Sequence, residues 1–288
     1  MSEKSSSGLF NNRADKKFLT GLSRAFAGAV IFSFPVIMTM EMWSLGYTIP
    51  PYRLILLILL SIPVLIGLSY FVGFEDTENL ADDIIDAFVG YAVGFIASAV
   101  LLYIFGIIDS TMSYYEIFGK ITIQTVAAAI GAMLAQSELG GNGNDGSEKD
   151  SKKERKNRSG YWGELFIMLV GAIFLAMSPA PTEEMYLIAY KMSEWQFILL
   201  AILSILTMHA FVYTVGFEGE EEIDEKSSFW LVFLRFTIVG YAIALLISLY
   251  LLWTFGSLDG MSFKEIMEVT IVLGFPATLG VAASRVIL

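Results

Sequence analysis

Residues 54–74 read LILLILLSIPVLIGLSYFVGF, a stretch without a single charge. A helix of about twenty residues is about 30 Å long, the thickness of a bilayer's hydrocarbon core. The stretch has company. Comparable runs lie near 22–44, 53–74, 84–107, 117–136, 161–180, 195–216, 229–254 and 266–286, so eight membrane spans are expected. The 288 residues are 56% hydrophobic and 16% charged, with a mean hydropathy of +0.65. Soluble domains run at about 45–50% and about 25%. The composition therefore argues against a soluble enzyme and a disordered chain. A net charge of −11 argues against a nucleic-acid binder. With no cysteine, disulfides, Fe–S clusters and thiolate zinc sites are excluded, and no cofactor is expected. The fold class is an all-α polytopic membrane protein.

Residues 1–20 are a polar tail with Lys4, Arg13, Lys16 and Lys17 ahead of the first apolar run. That run lacks a small-residue cleavage site at its end, so the first helix is expected to stay. Residues 137–160 are rich in Gly, Asn and Lys without apolar periodicity, which predicts a flexible, solvated linker. Its Lys149, Lys152, Lys153, Arg155, Lys156 and Arg158 form the largest basic cluster of the chain. By the positive-inside rule, tail and linker are cytoplasmic. Four spans separate them, so the C-terminus falls inside too. The localisation expected is a prokaryotic cytoplasmic (inner) membrane.

The chain repeats itself. Gly28-Ala29 recurs as Gly171-Ala172, and the same offset of 143 carries Thr39 onto Thr182, Glu41 onto Glu184 and Trp43 onto Tyr186. It also carries Val72-Gly73-Phe74-Glu75 onto Val215-Gly216-Phe217-Glu218. Further on the offset becomes 150, matching Val89-Gly90-Tyr91-Ala92 to Val239-Gly240-Tyr241-Ala242, and Phe105-Gly106 with Asp109 to Phe255-Gly256 with Asp259. Rare residues match along with Leu and Ile, which marks a true internal repeat. Two four-span units result, 21–136 and 161–288. An even span number makes them parallel, which predicts a pseudo-two-fold along the membrane normal.

With its doubled four-span layout, its Pro-then-Thr-x-Glu-Met element and its Gly-Phe-Glu loop, the chain resembles a family of uncharacterised prokaryotic integral membrane proteins. The resemblance covers most of the chain outside tail and linker. It implies a membrane class and brings no mechanism with it.

The first spans of the two units carry the sharpest features. One runs to Pro35 and on to Thr39, Glu41 and Trp43; the other to Pro179 and Pro181, then Thr182, Glu183, Glu184 and Tyr186. Proline breaks a spanning helix, and a broken helix with a carboxylate on its second segment is one way to build an ion site. Thr182 reads as an N-cap with Glu183 and Glu184 in the favoured first turn. The plainer reading ends the spans at the outer interface, with Trp43 and Tyr186 as anchors. Asp109 and Asp259 lie on the same outer side, so four acids can line one cation-concentrating vestibule. The competing account makes the aspartates loop caps.

Elsewhere the bland account leads. The inner loops carry Glu75, Asp76, Glu78, Asp82 and Asp83, then Glu218, Glu220, Glu221, Glu222, Asp224 and Glu225, without EF-hand spacing. Asp86 and Arg235 stand near the inner ends of equivalent helices, where a pairing is conceivable. Lys120 and Lys264 sit by the outer turns. His209, the only histidine, is read as a packing residue, with a proton relay as its functional alternative. Glu183-Glu184 is similar to the glutamate pair of intramembrane CAAX-type proteases. Leu187 stands where that family has Arg, however, and its further histidines are missing. An enzyme is not expected. The leading expectation is movement of a cation or proton, through a channel or by a proton-coupled carrier, with the lipid bilayer as partner and an oligomer axis as one place for a pore. A scaffold or sensor is the alternative.

Overall fold

The computed structural model describes residues 13–72, 80–139, 146–214, 230 and 233–287, and among them every regular element is helical. The first half comprises α1 (Arg13–Ile37), α2 (Met40–Thr48), α3 (Pro51–Val72), α4 (Leu80–Ile104) and α5 (Tyr114–Leu139). The second comprises α6 (Gly146–Met177), α7 (Glu183–Lys191), α8 (Glu194–Thr214), α9 (Val239–Thr254), entered through a π-helical turn (Phe233–Ile238), and α10 (Phe263–Ile287). Eight of these helices are long and apolar enough to cross a bilayer, and all eight overlap the expected spans. The nine-residue helices α2 and α7 lie between spans, after the proline breaks.

From Gly146 onward the backbone is helical, continuous with α6 up to Gly160. At Gly160 the backbone turns to φ 51° and ψ −141°, where a side chain would be strained, and the membrane part of α6 starts afresh.

Lipid tails are as apolar as leucine, so contact between spans rests on close packing rather than on exclusion of water. The sequence supplies that packing with small residues. In α5, Ala128, Ala129, Ala132 and Ala135 are buried together with Gly131. A Cβ on Gly28 of α1 would meet Ala135 and the Gly131 carbonyl; one on Gly171 of α6 would meet Ser284 and the Gly280 carbonyl. The same backbone-to-backbone crossing thus occurs in both halves. Gly94 brings α4 against the backbone of Ala129, and Gly46 brings α2 against Gly119. Gly240 packs on Met208 and Val281.

The Phe-Gly pairs end α4 and α9 alike. Gly106 (φ 67°) and Gly256 (φ 78°) take the left-handed conformation. Ile107 N–H donates to Leu102 O and Gly106 N–H to Tyr103 O; Ser257 and Gly256 do the same to Leu252 and Trp253. These are paired Schellman closures that satisfy the last carbonyls of each helix.

The halves meet along a one-sided seam. Besides a contact of α1 with α6, where Phe32 meets Phe174 edge-on, the interface runs along α3, whose Arg53, Gly67 and Phe71 stand against Asp259, Trp253 and Phe166 of the second half. A two-fold would pair their repeat counterparts as well. Gln196 and Ala210 on α8, Ser23 on α1, and Asp109 are exposed instead. The expected pseudo-two-fold therefore does not describe these contacts.

Candidate functional site

Polar side chains gather where α1 breaks. Past Ile37 the last carbonyls of α1 have no amide of a further turn to accept, and side chains take that place. Pro35 O accepts from the Thr39 hydroxyl at 3.0 Å and from the Ser178 hydroxyl at 3.2 Å, and the two hydroxyls stand 3.3 Å apart. Val36 O accepts from the Thr39 amide and, at 3.4 Å, from the Gln124 side-chain nitrogen. Ile37 O accepts from the Trp43 indole at 2.7 Å. Ser178 is the repeat counterpart of Pro35, so the two breaks touch each other directly. Gln124 is fully buried and, among the described residues, its Oε1 has no hydrogen-bond partner. A neutral cluster of three mutually close oxygens, with an unpartnered amide oxygen on the neighbouring helix, results.

At the second break Thr182 occupies the N-cap position of α7, as expected, with extended φ −78° and ψ 146°. Its hydroxyl turns back to donate to Pro179 O at 2.9 Å instead of accepting from the first-turn amides. Glu183 and Glu184 follow in the first turn and are exposed; Glu41, in the first turn of α2, is half-buried. Among the described residues no hydrogen bond or ion pair engages these three carboxylates. Trp43 and Tyr186 are half-buried, and both pack against the main core. Tyr186 also bonds Ser257, and burial pushes its phenol up from the usual tyrosine range. Exposed aromatics near these loops include Tyr47, Tyr52, Tyr114, Tyr115, Tyr190 and Trp195.

The two aspartates have partners. Asp109 is exposed and accepts from the Thr111 hydroxyl and, at 2.7 Å, the Thr111 amide, which together hold its carboxyl below the usual range. Asp259 receives two hydrogen bonds from Arg53, at 2.9 and 2.8 Å, and that guanidinium holds it below the usual range as well. The vestibule of four open acids is therefore reduced: one aspartate caps its own turn, and the other is neutralised. Arg53 is buried and lies over the Trp253 ring at 5.1 Å. Lys120 is buried too, bonded to Glu116 at 2.7 Å and to Ile107 O at 3.2 Å. Lys264 pairs with Glu194 at 3.0 Å.

The remaining candidates sit among polar and aromatic neighbours. His209 Nδ1 lies 3.1 Å from the Thr237 hydroxyl, within the π-helical turn, and its ring meets Phe233 edge-on. Asp86 does not pair with Arg235. Ser69 bridges Asp83 and Asp86 at 3.3 Å each, while Arg235 lies 4.4 Å over the Tyr161 ring, whose hydroxyl donates to the Arg235 carbonyl. Glu75, Asp76, Glu78, Glu218, Glu220, Glu221, Glu222, Asp224 and Glu225 lie outside the described residues. No group of three or more metal-ligating side chains occurs among the described ones.

Sequence reasoning missed Arg53, Ser178 and Gln124. Arg53 had a usable signal, since an arginine opening an otherwise uncharged span needs a partner. No curated protein and no solved structure matches the chain. A family model does, over residues 21–288, and the chain belongs to that family, described as "Putative integral membrane protein (DUF2391)".

Proposed function

We propose that this integral membrane protein moves a cation, across a prokaryotic cytoplasmic membrane in which its termini face the cytoplasm. The observation that carries the reading is the oxygen triangle of Pro35 O, Thr39 Oγ1 and Ser178 Oγ, with edges of 3.0–3.3 Å. Hard cations are bound at about 2.0–2.6 Å by oxygens, and three such ligands on one side of an ion stand about this far apart. Carbonyls and hydroxyls replace water around an ion without the cost of a buried charge. The unengaged carboxylates of Glu41, Glu183 and Glu184 supply the attraction that brings a cation to the break, while Asp259 and Asp109 are spent on structure. No covalent chemistry is part of the reading. The glutamate pair is exposed on α7, and His209, near the far end of α8, is engaged with Thr237.

The test is flux of Na⁺, K⁺, Ca²⁺ and H⁺, measured in turn, through purified protein in liposomes. Flux of one cation that falls severalfold in Glu41→Gln and Glu184→Gln, and nearly vanishes in the double variant, is the result expected. A double variant with wild-type flux, or a wild type that passes none of the four, would end the transport reading. Saturation at hundreds of ions per second marks a carrier, and much faster flux marks a channel.

A further inference from the structure

The one-sided seam has a second, unused copy of itself. In the seam, four residues meet: Tyr52 and Arg53 at the start of α3, Trp253 at the end of α9, and Asp259 in the loop beyond. Through the repeat, their counterparts are Trp195 and Gln196 at the start of α8, Tyr103 at the end of α4, and Asp109. Each aromatic remains aromatic, the acid remains an acid, and the arginine becomes another donor. Within one chain this second set never assembles. Trp195 is 74% and Tyr103 71% exposed, and Gln196 and Asp109 are exposed as well.

The unassembled set has the chemistry to assemble. Gln196 Oε1 accepts from the Ser193 amide at 2.7 Å and from its hydroxyl at 3.1 Å, which leaves the side-chain nitrogen to donate. Asp109 spends Oδ1 on Thr111, which leaves Oδ2 to accept. Deeper along the same faces, the seam seats Phe166 of α6 against Gly67 of α3. The counterparts are Ser23 on α1 and Ala210 on α8, both exposed and both small enough for backbones to approach.

A contact that uses different faces on its two sides is heterologous, and it leaves one complementary face open at each end. We propose that a second copy of this chain docks there, placing α8 of each copy on α1 and α4 of the other, so that two chains close a ring of four four-helix units. The occupant is a copy of this chain because both faces it needs are the ones left over by the seam already formed. The proposal is independent of what crosses the membrane.

The cysteine-free chain makes the test direct. Ser23→Cys and Ala210→Cys variants, with different affinity tags, are expressed together and separately, then treated in native membranes with a short bis-thiol reagent. A covalent dimer that forms from the mixture and carries both tags is expected. Cross-linking of either variant with itself alone, or none in the mixture, overturns the proposal. Light scattering of the wild type in lipid nanodiscs should give two copies of 31.8 kDa, and one or three copies would overturn the closed pair. Gln196→Arg rebuilds the ion pair of the seam and is expected to raise the association constant about tenfold, or about 1.4 kcal/mol. An unchanged constant, or a gain that survives addition of Asp109→Asn, would count against the register proposed.

Discussion

The Arg53 guanidinium donates two parallel hydrogen bonds to the Asp259 carboxylate and so ties together residues 206 positions apart. Arg53 is buried, while Asp259 stays 59% open to solvent. The fork geometry makes lysine a poor substitute. Arg53→Lys and Asp259→Asn should each cost about 1 kcal/mol, the upper range for a partly exposed pair. That corresponds to about 2–4 °C in the apparent unfolding midpoint in detergent, followed by intrinsic fluorescence.

The same pair fixes a pH dependence. Arg53 holds Asp259 below its unfolded value of about 3.9, so its stabilisation is complete above that value and is lost as pH falls through the folded one. The midpoint difference between wild type and Asp259→Asn should therefore be constant from about pH 8 to about pH 5 and should close only below about pH 4. A difference that shrinks near neutral pH would point to another group.

Two glycines should fail for different reasons. At Gly171 a methyl group would strike the Gly280 carbonyl and Ser284, so Gly171→Ala should cost about 1–3 kcal/mol by overpacking. At Gly106 a methyl group would meet nothing within 4 Å, but φ is 67°. Gly106→Ala should cost about 1 kcal/mol through backbone strain alone. Thermal midpoints of the two variants, and the yield of monodisperse protein, separate the cases.

Thr39→Val removes one corner of the oxygen triangle while keeping the shape of the side chain. Folding should survive, because the Ser178 hydroxyl still caps Pro35 O. Cation flux in liposomes should drop severalfold, with an altered preference among Na⁺, K⁺ and Ca²⁺. Unchanged flux and preference would make the cluster a helix cap and nothing more.

Topology is open to labelling on the same cysteine-free background. Cysteines placed singly at Ser5 and Ser151 should both be protected from an impermeant thiol reagent in intact cells and react after lysis. Labelling of one alone would contradict four spans between the two basic segments.

The spans and their order were legible in the sequence, because a twenty-residue apolar run has few other meanings. The proline breaks were legible as well, because proline fixes its own backbone, and so was the turn after each Phe-Gly pair, because glycine takes the left-handed conformation without strain. Side-chain destinations were not. Trp43 and Tyr186 follow a break, and the rotation of a nine-residue helix after a break depends on what it packs against. Arg53 finds Asp259 only once both halves stand side by side. The helix over residues 146–159 was hidden too, because a charged helix without an apolar stripe offers no periodicity to see.

The glycine crossings have a mechanical consequence. Where Gly28 lies on Gly131 and Gly171 on Gly280, backbone rests on backbone, with only the small side chains of Ala135 and Ser284 beside the contact. Each half is thereby stiff. The seam is built differently, from the Arg53 clamp at one end of α3 and the Phe166 ring, stacked 5.4 Å from Phe71 and seated against Gly67, near the other. An aromatic ring on a glycine notch can slide where interlocked backbones cannot. Relative displacement of the halves therefore meets least resistance at the Phe166–Gly67 contact, within the reach that the Arg53–Asp259 pair allows.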